Sequence, residues 1–382
     1  MPKLLYGVSS SFCAHFLHGQ LEYMKSCGYD VSIISPPGEE MERLTDLEQA
    51  KLYEVDFSNS ITPFHDLLNL FEVFRILLKE RPQIVNAGHP KSGLLIMLAC
   101  WFLGIGKRIF TLHGLVSDTQ RGWKKILIRF AEKMTCSLAE RVIVVSPSLL
   151  DHAVACGILN SNKGRIIEYG SCNGINLKRF SRTEKVIAES EKLRAIKMIP
   201  SASFTIGFIG RISADKGMDL LINVFHRLRR RHPNLCLVIA GSMDHRDPIS
   251  VSSKEQIHSA PNIYYLGKME DIVPVYPMMD LLVLPSYREG FGNVLIEAAA
   301  MGVPVIAPDI PGCRDALQAG KNGSLFRKGD EADLEKWIET YIQDPELLHI
   351  HGANGRDIVE FRFNQERLWK GLEREYDDIR LL

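Results

Sequence analysis

The 382-residue sequence has no excess of charge of either sign, because 46 lysines and arginines balance 46 aspartates and glutamates. A protein that binds nucleic acid over its whole length normally carries a basic excess that neutralises phosphates, so this class is disfavoured. The eight cysteines form no CxxC pair and no cluster with histidines at the spacing of zinc ligands. We therefore expect free thiols in a reducing compartment and no structural zinc.

Long hydrophobic runs are also missing. The N-terminal residues lack the charged segment and the apolar run of a signal peptide. The most apolar run, residues 93–106, has 14 residues, whereas a helix needs about 20 to span a bilayer. We predict a buried helix there and a cytoplasmic protein.

The even charge balance conceals an uneven distribution. Between Arg75 and Lys133 the chain has eleven basic and three acidic residues, a local charge of +8, and the remainder therefore carries −8. The sequence predicts a polarised molecule with one basic region.

Short β-branched or apolar runs alternate with longer stretches of helical period, a pattern typical of parallel βαβ units. The alternation stops in a charged segment that ends near Pro200, and it then restarts. Each half is expected to be a Rossmann-like domain with a doubly wound parallel sheet. The carboxyl ends of both strand sets, where α/β proteins bind ligands, are expected to face a central cleft. The predicted parts are a first domain (1–180), a linker (181–203), a second domain (204–360) and a C-terminal helix packing back on the first domain (361–382).

A cationic loop follows the first strand of the second half. The strand ends at Gly210, and Arg211 and Lys216 follow five residues apart. Arginine makes paired hydrogen bonds with phosphate and lysine adds a point charge, so the two suit a diphosphate. Solvated loop charges would give the same pattern.

The segment from Pro285 to Ala316 is more specific. Glu289 follows a buried strand, glycines open an apolar helix, and Glu297 lies within that helix. Glycines at a helix N-terminus let backbone N–H groups approach an anion, and the helix dipole favours negative charge there. The glutamates suit hydrogen bonds from the hydroxyls of a polyol, and a buried Glu297 needs a partner. Exposed helix charges are the alternative interpretation.

These residues resemble the retaining glycosyltransferases of family 4, which have the two-domain GT-B architecture and use sugar nucleotides. The resemblance rests on Glu289-x7-Glu297 with Gly-Phe-Gly-Asn between them, the GVPVIAPDIPG segment after them, and Gly210-Arg211 with Lys216-Gly217 upstream. It covers nearly all of residues 204–330. The first half is similar more loosely, in the segments TLHG, VIVVSPSL and NGI.

The resemblance implies a role for each matching residue. Arg211 and Lys216 would bind the donor diphosphate, Glu289 the hydroxyls of the donor sugar, and Glu297 the ribose. His113 would hydrogen-bond a sugar hydroxyl or stabilise charge in an oxocarbenium-like transition state, which makes His113 and Glu289 the catalytic candidates. The other donor-binding candidates, mostly backbone, are Gly210, Lys268, Met269, Gly290, Phe291, Gly292, Asn293 and Val294.

The family also implies retention of the anomeric configuration by a same-face displacement, in which the leaving phosphate helps to deprotonate the acceptor. No carboxylate nucleophile is then required, and catalysis depends on positioning and charge stabilisation. No strand ends in a DxD motif. We expect a UDP-sugar as co-substrate and no metal or other cofactor.

The acceptor side departs from the family pattern. Many members have a Gly-Gly loop after the first strand, whereas this loop is Ser9-Ser10-Ser11-Phe12-Cys13-Ala14. Ser11 is a candidate acceptor contact there. The segment NAGHPKSGLL adds the candidates His89, Lys91 and Ser92, with a structural loop as the alternative.

One basic helix suggests a membrane surface. Trp123, Ile126, Leu127 and Phe130 recur at helical spacing with lysines and arginines on flanking positions. Such a helix suits an anionic membrane, and the resemblance to polysaccharide-assembly transferases favours a lipid-diphosphate-linked sugar acceptor on the inner membrane. An ordinary amphipathic helix packed on the sheet is the other interpretation.

Three other functions compete. A nonhydrolysing UDP-sugar 2-epimerase would bind the same donor, but Glu289-x7-Glu297 argues against it. A non-catalytic nucleotide-sugar-binding assembly protein is disfavoured by the complete set of donor residues. A dehydrogenase is disfavoured because no GxGxxG fingerprint is complete.

Overall fold

The computed structural model describes residues 1–57 and 62–381. The chain divides into two compact units, Met1–Gly174 with Gln365–Leu382, and Ile175–Asn364. Within the described residues, no helix combines the length and the apolarity that crossing a bilayer requires.

The first unit is built on a parallel sheet, in which the described residues form seven strands. The strands are β1 (Lys3–Gly7), β2 (Asp30–Ser35), β3 (Lys51–Glu54), β4 (Ile84–Gly88), β5 (Lys107–Leu112), β6 (Arg141–Val144) and β7 (Gly164–Arg165). The helices before the chain leaves this unit are α1 (Gln20–Ser26), α2 (Glu39–Leu47), α3 (Pro63–Glu80), α4 (Pro90–Phe102), α5 (Gly122–Leu138) and α6 (Pro147–Ala155). The central strands β1 and β4 are almost entirely buried, as expected for strands covered on both faces.

The strand order of the first unit is β3-β2-β1-β4-β5-β6-β7. The chain adds strands outward from β1 to β3 and then returns to place β4 on the other side of β1. Loops on the two sides of such a reversal leave a crevice at the carboxyl edge, which is where doubly wound sheets bind ligands. The loops after β1, β4 and β5 therefore carry the candidate site of this unit.

The second unit repeats this plan with a parallel sheet, of which the described part has six strands. The strands are β8 (Thr205–Ile209), β9 (Cys236–Ala240), β10 (Ile263–Gly267), β11 (Leu281–Val283), β12 (Val305–Pro308) and β13 (Gly323–Phe326). The helices are α7 (Glu184–Ile196), α8 (Met218–Arg231), α9 (Val251–Ser259), α10 (Asn293–Ala300), α11 (Cys313–Ala316), α12 (Glu331–Gln343) and α13 (Pro345–Phe363). The order β10-β9-β8-β11-β12-β13 reverses between β8 and β11, so the loops after these two strands flank the equivalent crevice.

The predicted linker, residues 181–203, is not a separate connection. It lies within the second unit, where α7 is held by Arg194, which donates to the carbonyls of Met278 and Pro200 at 2.7 and 2.6 Å. The unit already begins at Ile175. The sequence pattern missed α7 because the helix fully buries only a serine and therefore shows little apolar periodicity.

The C-terminal helix, α14 (Gln365–Leu381), belongs to the first unit. Leu368, Leu372 and Tyr376 of α14 lie in the apolar core of that unit. The Tyr376 hydroxyl donates to Tyr6 at 3.2 Å and accepts from Asn86 Nδ2 at 2.7 Å. The return to the first unit thus starts four residues later than the predicted range 361–382.

Candidate functional site

The loops after β8 and β11 bring two predicted donor residues together. Lys216 lies before α8 and Glu289 before α10, and Nζ of Lys216 is 2.5 Å from Oε1 of Glu289. Ser286 donates to the same Oε1 at 2.8 Å. Both charged side chains are mostly shielded from solvent, so the pair is held in a defined geometry at the reversal of the strand order.

The second predicted cation, Arg211, is paired with carboxylates. Its Nη1 binds Asp244, and its Nη2 lies 3.3 Å from Oδ2 of Asp215. Burial raises the pKa of the Asp215 carboxyl, but the Ser213 hydroxyl and the charges on Arg211, Lys216 and Arg288 outweigh it and leave this pKa below its usual value. Asp215 therefore remains an anion among three cations at neutral pH.

Glu297 has the partner that its position requires. It is half-buried in α10, and its Oε2 accepts a hydrogen bond from the Tyr276 hydroxyl. Burial raises the pKa of the Glu297 carboxyl, and the Tyr276 hydroxyl and the Arg179 charge act in the opposite direction. The interpretation of Glu297 as an exposed helix charge is wrong.

Close backbone contacts shape the segment before α10. Gly312 has φ +81°, and a Cβ there would lie 2.5 Å from the Gly290 carbonyl oxygen. The N-cap of α10 is Gly292, which supplies no side-chain hydrogen bond. The helix thus begins with backbone N–H groups, the arrangement that suits an anion.

The remaining donor candidates lie along the same edge of the sheet. Gly210, with φ +151°, directly follows β8, and Lys268 and Met269 follow β10. Phe291 is buried against Phe363, with ring centroids 5.4 Å apart. Gly290, Phe291 and Gly292 precede α10, and Asn293 and Val294 lie in its first turn. The Asn293 Oδ1 atom is buried and finds no hydrogen-bond partner within residues 1–57 and 62–381.

The first unit holds a pocket at the corresponding edge of its own sheet. About 620 Å³ of empty space, partly open to solvent, lies against the loops after β1, β4, β5 and β6. His113 stacks on His89 with ring centroids 4.8 Å apart, and Phe16 also stacks on His113, with ring centroids 5.7 Å apart. The Cys13 sulfur lies 3.4 Å from Nε2 of His89.

Both imidazoles of this pocket are neutral at neutral pH. Burial lowers the pKa of His89 to about 4, although a hydrogen bond with the Gly88 backbone partly opposes this decrease. Burial and then the neighbouring His89 lower the pKa of His113 well below its usual value. Nδ1 of His113 is buried, and the part of the chain that the structure describes offers it no hydrogen-bond partner. His89 also adopts φ +68° and ψ 152°, a region nearly restricted to glycine and one that often marks functional sites.

The other acceptor candidates do not join the two histidines. The Ser11 hydroxyl donates to Glu40 at 3.2 Å, and Lys91 pairs with Asp66 at 2.5 Å. Ser92 is completely buried and donates to the Gly88 carbonyl at 2.8 Å, so its hydroxyl is not available to a ligand in the pocket. The prediction for Ser92 is wrong because serine in the first turn of α4 bonds the backbone four residues before it.

Several neighbours of these sites were not predicted from the sequence. Cys13 and Phe16 line the first pocket from a short 3₁₀ helix, Ser11–Phe16, which follows β1. Tyr276 and Asp244 lie far in sequence from the groups they bind, and no local pattern indicates them.

Within the described residues, no group of three or more histidine, cysteine, aspartate or glutamate side chains is arranged to hold a metal ion.

Comparisons with known proteins agree with an architecture of two α/β units. Residues 189–358 match the family model of glycosyl transferases group 1, and residues 14–179 match that of glycosyltransferase family 4. The capsular polysaccharide biosynthesis glycosyltransferase CapM of Staphylococcus aureus is 32% identical over 375 residues, 98% of this chain and 97% of CapM. A Campylobacter jejuni enzyme, N,N'-diacetylbacillosaminyl-diphospho-undecaprenol alpha-1,3-N-acetylgalactosaminyltransferase, is 28% identical over 359 residues, 92% of each chain.

A solved structure supports the fold. HepE of Anabaena, in complex with UDP-glucose, superposes with a TM-score of 0.83 at 19% identity and covers 99% of this chain and 100% of its own. The predicted fold, two Rossmann-like doubly wound sheets, is thereby confirmed. The chain belongs to the family 4 glycosyltransferases and is a glycosyltransferase of the GT-B fold.

Proposed function

We propose that the protein transfers a hexose or N-acetylhexosamine from a UDP-sugar to a sugar carried on a polyprenyl diphosphate, with retention of configuration, during assembly of a bacterial surface polysaccharide. The observation that carries the proposal is the Lys216–Glu289 pair at the strand-order reversal, beside the N-terminus of α10. One residue of this pair suits the diphosphate and the other suits the hydroxyls of the sugar.

The donor chemistry follows from the charges of the second unit. Departure of UDP develops negative charge on the diphosphate, and preorganised cations that stabilise this charge lower the barrier. Lys216 and Arg211 are such cations. The carboxylates that hold them reduce the reorganisation required when a diphosphate binds.

Metal independence is part of the proposal. A divalent cation in a nucleotide-sugar enzyme neutralises the leaving diphosphate, and Arg211 with Lys216 carries the same positive charge at this edge. Activity is therefore expected to survive treatment with a chelator, and loss of activity on EDTA with recovery on Mg²⁺ or Mn²⁺ would contradict this part.

The neutral pocket of the first unit suits sugar hydroxyls, with His113 assigned to the donor sugar and His89 to the acceptor. A neutral imidazole both accepts and donates a hydrogen bond, so His113 suits a sugar hydroxyl, and its unpartnered Nδ1 supplies one hydrogen-bonding position. His89 lies against it and extends the same polar surface. We assign His113 the catalytic role at this side and His89 a role in acceptor binding.

The relatives support the choice of substrates. The name of the Campylobacter enzyme specifies a sugar acceptor on diphospho-undecaprenol, and the HepE complex contains UDP-glucose. A lipid-linked acceptor implies work at the cytoplasmic face of the inner membrane, where we place the protein as a peripheral component.

The test combines binding and transfer. Wild-type protein and Lys216→Ala are titrated with UDP and with a panel of UDP- and GDP-sugars, and transfer to a polyprenyl-diphosphate sugar is then measured with the donors that bind. Lys216→Ala should weaken UDP binding about ten- to hundredfold, as expected for loss of a charged hydrogen bond. Lys336→Ala, on α12, is the matched control.

The competing functions give different results. An epimerase would convert UDP-N-acetylglucosamine alone into its 2-epimer, and a binding protein without turnover would bind the donor and transfer nothing to any acceptor. Unchanged UDP affinity in Lys216→Ala would remove the proposed donor site. The anomeric configuration of the product, read by NMR, tests retention.

A further inference from the structure

Two helices of the first unit expose apolar stripes. On α5 the stripe has the spacing i, i+3, i+4, i+7, and α3 repeats it. The residues on α5 are Trp123, Ile126, Leu127 and Phe130, and those on α3 are Phe64, Leu67, Leu68 and Phe71. Trp123 is 67% exposed, Ile126 73% and Phe64 78%. A helix of a globular domain normally turns such a stripe toward the core, so the interpretation of α5 as an ordinary packed amphipathic helix is wrong.

The two stripes belong to one region of the unit. The helix α4 packs against both α3 and α5. The first turns of α3 and α4 are joined by the pair Asp66–Lys91 at 2.5 Å. Helices of parallel βαβ units begin just beyond the carboxyl end of the preceding strand, so the exposed halves of α3 and α5 lie toward the edge of the sheet that carries His89 and His113.

The charges beside the α5 stripe are mainly positive, whereas α3 carries Asp66, which pairs with Lys91, and an exposed Glu72 next to its stripe. Carboxylates near α5 are already bound: Asp118 to His152 at 3.0 Å, and Glu132 to the Ser117 hydroxyl at 2.7 Å. Lys124 and Lys125 are exposed on α5, and neither has a carboxylate within ion-pair distance in the part of the chain that the structure describes. The α5 stripe therefore has unneutralised cations beside it, and the α3 stripe contributes exposed apolar side chains.

This composition fits a lipid surface. Large contiguous apolar patches mark interaction sites. Aromatic and aliphatic side chains on one face with lysines at the flanks are typical of helices that lie in a membrane interface, and each lysine adds attraction to anionic lipid.

We propose that α3 and α5 together form a membrane-docking face, which inserts its two apolar stripes into the headgroup region of an anionic bilayer. The exposure and charge of this face do not depend on the proposed function; only its relation to a lipid-linked acceptor rests on that function. The part contributed by α3 distinguishes this face from a single basic helix.

Vesicle flotation tests the face. Wild-type protein is mixed with phosphatidylcholine vesicles with and without phosphatidylglycerol, beside Phe64→Ser/Phe71→Ser on α3, Trp123→Ser/Phe130→Ser on α5, and the control Phe361→Ser, an exposed phenylalanine of α13. Wild type and control should float with the anionic vesicles and dissociate at high salt, and each double variant should bind at least about tenfold more weakly.

The proposal would be overturned if wild type did not float, or if the α3 variant bound vesicles as strongly as wild type. It would also be overturned if wild type self-associated and both double variants abolished this, because the face would then bind a second copy of the chain. UDP affinity of the same variants separates this inference from the proposed function, because the docking face contains no donor residue. Thermal melting of each variant verifies that it is folded.

A different observation concerns Arg288 in the second unit. Its Nε atom is buried and has no hydrogen-bond partner among the described residues. Its Nη2 lies 3.7 Å from Oδ2 of Asp215, the same oxygen that is 3.3 Å from Nη2 of Arg211. Two guanidinium groups therefore converge on one carboxylate oxygen, and a buried unpartnered N–H remains on one of them.

We infer that Arg288 is a third cation of the donor-diphosphate site, oriented with Arg211 by Asp215. The inference rests on the proposed function, since it requires the diphosphate to bind beside Arg211. Guanidinium groups recognise phosphate oxygens through paired N–H donors, and a diphosphate presents enough oxygens for both arginines and Lys216.

Calorimetric titration with UDP and with uridine tests this role. Arg288→Gln should weaken UDP binding about ten- to hundredfold and leave uridine binding unchanged, and Arg288→Lys should recover part of the loss. The control is Arg230→Gln, an exposed arginine of α8. Unchanged UDP affinity, or an equal loss for UDP and uridine, would overturn the inference. If wild type itself binds no UDP, the proposed donor site fails and this inference fails with it.

Discussion

Replacing His89 by glutamine is expected to make the first unit less sensitive to acid. Burial lowers the pKa of the His89 imidazole from 6.5 to about 4. Between these values the unfolded chain binds a proton at this ring and the folded chain does not, so a falling pH favours unfolding. The stability that the neutral ring provides is complete above pH 6.5 and is lost as the pH falls toward 4.

The magnitude follows from the two pKa values. One pKa unit corresponds to ~1.4 kcal/mol, which gives about 3 kcal/mol over the whole interval. At about pH 5 the folded ring is still mostly neutral, and about 2 kcal/mol is already lost. For a unit of this size, that loss lowers Tm by about 4–8 °C.

Tryptophan fluorescence reports mainly on the relevant unit, because Trp101, Trp123 and Trp369 lie in the first unit and only Trp337 lies in the second. Melting curves are recorded near neutral pH and at about pH 5 for wild type, His89→Gln and the control His18→Gln, an exposed histidine of the same unit. The drop in Tm between the two conditions should be about 4–8 °C smaller in His89→Gln than in wild type. An equal drop in both proteins would refute the argument that His89 is kept neutral by burial.

Three further substitutions test the packing around the two sites. Gly312→Ala should lower UDP affinity about tenfold, because its Cβ would displace the Gly290 carbonyl. The control Gly320→Ala, at φ +74° with open space around its Cβ, should change stability alone, and calorimetric titration with UDP compares the two variants. Tyr376→Phe should destabilise the first unit by about 1–3 kcal/mol, because the Asn86 amide loses its acceptor; thermal melting measures the loss, and wild-type Tm would contradict it. Glu297→Gln should weaken UDP and uridine binding alike, since both contain the ribose that we assign to this carboxylate; a loss confined to UDP would contradict the assignment.

The fold was predictable because its strands are apolar runs. The strands β8 and β9 are buried on both faces, and such runs in a βαβ alternation specify a parallel sheet from the sequence alone. The helix α7 was missed because its packing depends on single polar contacts such as those of Arg194, which leave no periodic signal. The last strand of the first unit, β7, is short, because only Gly164–Arg165 pairs with β6.

The sequence predicted which residues belong to the candidate site, but it did not predict which side chains bind each other there. The spacing of Glu289 and Glu297 in the sequence indicates a polar site on a helix, but it does not reveal that Lys216 binds the first and Tyr276 the second. These pairs join segments that are brought together only by the strand order. The stacking of Phe16 on His113 is of the same kind, since it requires the loop after β1 to fold as a 3₁₀ helix over the end of β5.

The same strand order therefore supports two different electrostatic environments, and acid should affect them in sequence. In the second unit, opposite charges and hydrogen bonds hold the pKa of Asp215 and that of Asp244 below their usual values despite burial, so these carboxylates stay ionised in mild acid. In the first unit, burial keeps His89 neutral, and burial together with the neighbouring His89 keeps His113 neutral, so each proton forced onto these rings opposes folding. As the pH falls from neutral toward 5, the first unit should open before the ion pairs of the second are lost. Limited proteolysis at that pH should then cut within residues 1–174 while residues 175–364 remain protected, and simultaneous cleavage of both units would show that the two environments do not differ in this way.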